Sequence, residues 1–143
     1  MEKRIIIGLV GDKNVGKTTM ANRLVEEKDF YKIDISDKVK EFATHLVPQF
    51  ESYQDKSEIL TKIRLKGCKI NKSYWINLCL SSVVQDHAKI VLDEIIEPEI
   101  IPSIEVYQIY RPKISTKTIP NVVTICNDKS LKSFISKIDD LNI

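Results

Sequence analysis

In the stretch "GDKNVGKTTM" (residues 11 to 20) a glycine is followed, after four residues, by Gly-Lys-Thr: Gly11, then Gly16, Lys17 and Thr18. Two glycines let the backbone turn where a Cβ would obstruct it. The amides around Asn14, Val15 and Gly16 can then converge as a nest for an anion. Within such a nest Lys17 is placed to reach the β- and γ-phosphates of a nucleoside triphosphate. Thr18 offers its hydroxyl to Mg²⁺, and Thr19 falls near the α-phosphate. The chemistry open to this spacing is nucleotide binding, either as a switch, as a phosphoryl donor site, or as binding alone. The same letters also arise by chance ahead of a helix, so the flanking elements decide.

A phosphate loop works between a buried strand and a helix N-terminus, whose partial positive charge faces the anion. "KRIIIGLVG" (3 to 11) is apolar, β-branched and continuous, as suits a strand covered on both faces. After the loop, Ala21, Leu24 and Val25 recur at helical spacing, and "EEKD" closes that helix. "FYKIDIS" (30 to 36) reads as a second strand. Ser36 or Asp37 is placed to cap a helix carrying Val39, Phe42 and Leu46 on one face, which Pro48 ends. Residues 49 to 88 read as helical, with "SEILTKIRLK" and "SYWINLCLSSVVQ" joined around Gly67 and Asn71, so a helical insert spans about 37 to 88. "KIVLDEI" (89 to 95), "EVYQIYR" (105 to 111) and "NVVTICN" (121 to 127) are further strands. A last helix has Leu131, Phe134, Ile135, Ile138 and Leu141 on one face. The expected fold is α/β, a three-layer α/β/α sandwich around a five-stranded parallel sheet, with the ligand at the carboxyl ends of the strands.

The 143 residues suit one domain over 1 to 143, and 43% hydrophobic with 29% charged residues is a globular balance. A net charge of +2, with acids and bases interspersed, leaves no basic stripe for nucleic acid. Cys68, Cys79 and Cys126 have no metal-ligand spacing and read as reduced cytosolic thiols. "IIIGLV" is too short for a signal core, and no run approaches the roughly 20 apolar residues that span a bilayer. A soluble, cytoplasmic monomer or homodimer is expected.

The switch reading fails on its later requirements. None of Gly8, Gly11, Gly16 and Gly67 has an aspartate three residues ahead of it to sense a γ-phosphate. "CNDKS" (126 to 130) has the letters of a guanine-reading element in the wrong order. Other segments point elsewhere: "ISDKVKEF" (35 to 42), "SYWINLCL" (73 to 80), "KIVLDEI", "VYQIYRP" (106 to 112) and "VVTICNDKSLKSFISKI". In these segments, taken in this order, the chain resembles the deoxynucleoside monophosphate kinase group of P-loop kinases. Animal-type phosphomevalonate kinases and dephospho-coenzyme A kinases are relatives of that group.

The resemblance implies ATP and Mg²⁺ as donor and metal, and a (deoxy)nucleoside monophosphate or another phosphorylated small molecule as acceptor. It implies catalytic roles for Lys17, Asp93 and Arg111, with Asp93 orienting Mg²⁺ through water or aiding the acceptor. Asp37, Lys40 and Arg64 fall on the acceptor side, and Asp34 is a further carboxylate candidate. A non-catalytic descendant that keeps the nucleotide loop for binding or assembly is the alternative.

This chain departs from the family pattern in three places. Only four arginines occur, Arg4, Arg23, Arg64 and Arg111, and Arg64 lies closer to Gly67 than the pattern has it. The short lid, about 112 to 120, offers only Lys113 and Lys117 as cations. "EIIEPE" (94 to 99) stands where the family has an arginine followed by "FPNE". His45 and His87 read as surface or packing residues, and Trp75 and Tyr74 as core rather than base-stacking aromatics.

Overall fold

A computed structural model of the chain describes residues 4–81, 87–115 and 117–143. The N-terminal apolar run forms β1 (Ile5–Val10) and the segment after the phosphate loop forms α1 (Lys17–Lys28). They are followed by β2 (Tyr31–Ile33), α2 (Ile35–Leu46), α3 (Lys56–Ile70), α4 (Tyr74–Ser81), β3 (Lys89–Leu92), β4 (Glu105–Tyr110), β5 (Val123–Cys126) and α5 (Leu131–Asp139). The five strands form one parallel sheet in the order β2-β3-β1-β4-β5. β1 sits at its centre, with Ile6 opposite Ile90 on one side and Leu9 opposite Tyr107 on the other.

Alternation along β1 divides the core. Ile7 and Leu9 pack with Met20, Leu24, Phe134 and Ile138 beneath α1 and α5. Val10 packs with Val39, Trp75, Ile76 and Cys79 beneath α2, α3 and α4. The sheet is thus covered on both faces, a three-layer α/β/α arrangement, and the helical insert forms one of its layers. Among the described residues no helix is long and apolar enough to cross a membrane.

Several boundaries differ from the sequence expectation. The second strand ends at Ile33 because the Asp34 side chain accepts a hydrogen bond from the Ser36 amide at 2.9 Å and caps α2. That is two residues ahead of the earliest expected cap, Ser36. Asp37 lies in the first helical turn, where its charge suits the helix dipole. Gly67 is no hinge. α3 runs straight through it, and a Cβ there would collide with the Trp75 indole, whose Nε1 donates to Arg64 O at 2.9 Å. The break comes at 71–73, between α3 and α4, at the Asn71 end of the expected junction. Trp75 is core, as its pattern predicts, with 2% of its surface exposed. Leu131 leaves the expected apolar face and is 63% exposed. Lys3, expected in the first strand, residues 82–85, expected in the helix begun at 73, and Thr116, expected in the lid, lie outside the described residues.

The thiols carry a first testable consequence. Burial pushes Cys79 up to about 11, and burial with the nearby Glu99 raises Cys68. Cys126 is only half-buried. A maleimide at pH 8 is expected to label Cys126 first and to spare the other two until the chain unfolds. Peptide mass spectrometry of a labelling time course reads this directly.

Candidate functional site

Where β1 runs out, its chain must turn tightly to enter α1, and the glycines sit where side chains would obstruct. A Cβ on Gly11 would lie 2.7 Å from Ile109 O. Gly16 has φ 117°, and a Cβ there would come within 2.9 Å of both the Phe134 ring and Asn127 Nδ2. Asn14 takes the left-handed conformation, at φ 66°, which asparagine tolerates better than most residues. Val15 anchors the loop through a fully buried side chain, so only its backbone faces the ligand side. Asn127 braces the turn by donating from Nδ2 to Val15 O at 2.8 Å.

Lys17 folds back over this loop, donating from Nζ to Gly11 O at 2.6 Å and lying 3.9 Å from Glu94 Oε2. Thr18 Oγ1 donates to Asp93 Oδ2 at 3.4 Å. Asp93 follows the end of β3, its amide bonded to Ile33 O at 3.0 Å. It is only 9% exposed, and its Oδ1 is buried with no hydrogen-bond partner. Burial pushes the Asp93 carboxyl above its ordinary value. Lys32 opposes the shift, Asp34 adds repulsion, the Thr18 hydroxyl again lowers it, and Glu94 adds further repulsion. A buried carboxylate with an orphan oxygen next to a threonine hydroxyl is a poor structural choice and a good place for a cation.

Gly11, Asn14, Gly16, Lys17, Thr18 and Glu94 line a cleft of about 740 Å³ together with Lys13, Thr19 and Arg111, while Asp93 meets this lining through its contact with Thr18. Arg111 Nη1 reaches toward Asn14 O at 3.5 Å, and its amide is held by Ser115 Oγ at 2.9 Å. The far wall comes from residues that the sequence reading does not single out for binding: Asn127, Lys129, Leu131 and Phe134. "CNDKS" contains two of them, and there its only signal is the guanine motif it fails to match.

The acceptor-side candidates do not join this cleft. Asp37 and Lys40 are exposed on α2. Asp34 is committed to its helix cap. Arg64 is buried: its Nη2 donates to Glu99 Oε1 at 2.6 Å and to Glu94 O at 2.9 Å, Nε to Glu99 Oε2 at 3.2 Å, and Nη1 to Ser36 Oγ at 3.3 Å. In the lid segment Lys113 is exposed and Lys117 pairs with Glu97 at 3.0 Å. His45 is exposed, and His87 stacks on Tyr31 with ring centroids 4.1 Å apart.

A divalent metal fits the donor set in one specific way. Among the described residues no group of three or more His, Cys, Asp or Glu could hold an ion by itself. Mg²⁺ commonly takes one or two protein oxygens, substrate phosphates and waters, and the Thr18 hydroxyl beside the orphan oxygen of Asp93 suits that demand. No protein-family model matches the chain, and no curated protein matches it.

Proposed function

We propose that the chain is a P-loop phosphotransferase of nucleoside monophosphate kinase type, which binds Mg-ATP in the cleft above β1 and passes the γ-phosphoryl group to a small acceptor. The observation that carries the reading is the pairing of Thr18 with the buried, orphaned carboxylate of Asp93 directly beside the Lys17 loop. A loop that gripped phosphate without a metal would have no use for that carboxylate.

Lys17 leaves its contact with Gly11 O to meet the β- and γ-phosphates, which replace a neutral acceptor with a charged one. Thr18 and, through water, Asp93 would hold Mg²⁺, which neutralises charge on the transferred group. Arg111, exposed at the cleft mouth, is available to the same phosphates. Leu131 offers the base an apolar surface. The resemblance points to a (deoxy)nucleoside monophosphate, or a compound such as phosphomevalonate, as acceptor. The donor half of the reading therefore rests on the site's own geometry, and the phosphorylated acceptor on the resemblance alone. The poverty of the lid, whose cations are Lys113 and a Lys117 paired with Glu97, favours a second reading, a relative that binds nucleotide without turnover.

Thermal denaturation tests the donor half. Mg-ATP at a hundred times its dissociation constant is expected to add about 2.7 kcal/mol, or roughly 5–10 °C for a domain of this size. ATP with EDTA should give less, and Lys17→Ala should give almost none. No shift with Mg-ATP in the unmodified chain overturns the proposal. A normal shift without release of ADP in the presence of any acceptor selects the binding-only reading.

A further inference from the structure

A second cavity, about 200 Å³ in volume, opens beside the phosphate loop at the carboxyl ends of β1 and β4. Gly11 and Glu94 line both this cavity and the donor cleft, so the two spaces share a wall. The Glu94 side chain is half exposed at that wall, with Oε2 3.9 Å from Lys17 Nζ.

The chain that presents Glu94 is held on three sides. Glu94 O accepts from Arg64 Nη2 at 2.9 Å, the Ile95 amide donates to Leu9 O at 2.8 Å, and the Ile96 amide donates to Glu99 Oε1 at 2.9 Å. Ile95 itself is buried in the core. The opposite rim is fixed as well: the buried Gln108 amide donates to Lys117 O at 2.9 Å and accepts from the Ile119 amide at 2.7 Å. Such bracing is what a preorganised site requires of the shell around it.

The charge of this cavity differs from what a phosphate needs. Among its described lining residues the acidic ones, Asp12, Glu94 and Glu97, outnumber the one lysine, Lys117; Glu97 pairs with that lysine at 3.0 Å, and Glu94 lies 3.9 Å from Lys17. No arginine is among its described lining residues, and Arg64 is turned to Glu99. Its volume lies below the roughly 300–1,000 Å³ usual for larger ligands, so it suits something smaller than a nucleotide.

Granted the Mg-ATP half of the reading above, and in place of the phosphorylated acceptor that the resemblance points to, we infer that this cavity is the acceptor site and that Glu94 receives the reacting hydroxyl of a small acceptor that carries no phosphate and is neutral or cationic. The acceptor oxygen lies between the Glu94 carboxylate and the γ-phosphorus. Its bond to phosphorus forms as the bond from phosphorus to the β–γ bridging oxygen breaks. The bridging oxygen keeps the electron pair and leaves on ADP, and the hydroxyl proton passes to the Glu94 carboxylate. Lys17, between Glu94 and the phosphates, offsets the repulsion of the two negative groups. Arg64 and Glu99 are positioning residues for this step, since they reach Glu94 through the backbone that carries it, at Glu94 O and the Ile96 amide.

The test measures ADP release by the full chain from Mg-ATP, against polyols, amino alcohols and pentoses, each offered with its monophosphate, and against nucleoside monophosphates. Turnover is expected with one or more unphosphorylated acceptors, and at least about 100-fold less with the matching monophosphates. Glu94→Gln should lower kcat with that acceptor by on the order of 10²- to 10³-fold while the Mg-ATP thermal shift persists. Turnover of monophosphates alone, no turnover with any unphosphorylated acceptor, or full activity in Glu94→Gln overturns the acceptor assignment. The Mg-ATP shift of the unmodified chain, read alongside, separates these outcomes from failure of the donor reading.

Discussion

Replacing Glu99 with alanine is expected to cost about 3–5 kcal/mol of folding stability, enough to lower the melting temperature by roughly 10–15 °C. Glu99 has no exposed side-chain surface, and its partner Arg64 has 8%. The carboxylate meets the guanidinium in a two-point fork, at 2.6 and 3.2 Å, and also accepts the Ile96 amide at 2.9 Å. Its removal strands a buried guanidinium and an amide at once, and desolvation of the cation dominates the loss. The double replacement Arg64→Met with Glu99→Leu is expected to recover most of the loss, because neither charge then remains buried. Urea titrations of the two variants and the parent make the comparison. If Glu99→Ala melts with the parent, and Arg64→Ala loses acceptor binding without loss of stability, then Arg64 is a ligand and not a strut.

That pair also marks how far the sequence could be read. The spacing of Gly11, Gly16, Lys17 and Thr18 is legible because it encodes a local backbone turn, and the structure builds that turn between a strand and a helix as expected. The parallel α/β order is legible for a similar reason, since β-branched runs alternating with amphipathic helices admit few other arrangements. Three-residue details are not. Whether Asp34, Ser36 or Asp37 caps α2 depends on where β2 stops, and that is set by its pairing with β3. Gly67 looks like a helix breaker until Trp75 is known to lie against it. Arg64 finds Glu99 across 35 residues, a pairing that no local pattern announces. Asn127 and Leu131 reach the cleft beside the glycine loop only because β5 returns beside β4, so chain topology, rather than composition, makes them candidate site residues.

Asp93→Asn is expected to move stability and activity in opposite directions. Burial raises the Asp93 carboxyl in the folded chain above its value in the unfolded chain, so the folded state holds the proton more tightly. The sign follows. The contribution of Asp93 to stability is present in full below the unfolded carboxylate value of about 3.9 and is lost as pH rises through the raised folded value. At neutral pH the parent therefore carries a buried charge with an orphan oxygen that asparagine does not carry. With EDTA and no nucleotide, the asparagine variant should melt above the parent at pH 7 to 8, and the gap should close as pH falls toward 4. Activity should go the other way, by about 10–100-fold, the usual loss when a carboxylate that orients a metal through water is neutralised. Mg-ATP should also stabilise the parent more than the variant, since the cation gives the carboxylate a partner. A variant that melts below the parent at neutral pH without ligand would mean that the Asp93 carboxylate is held for its own contacts. Its charge would then have no claim on a metal.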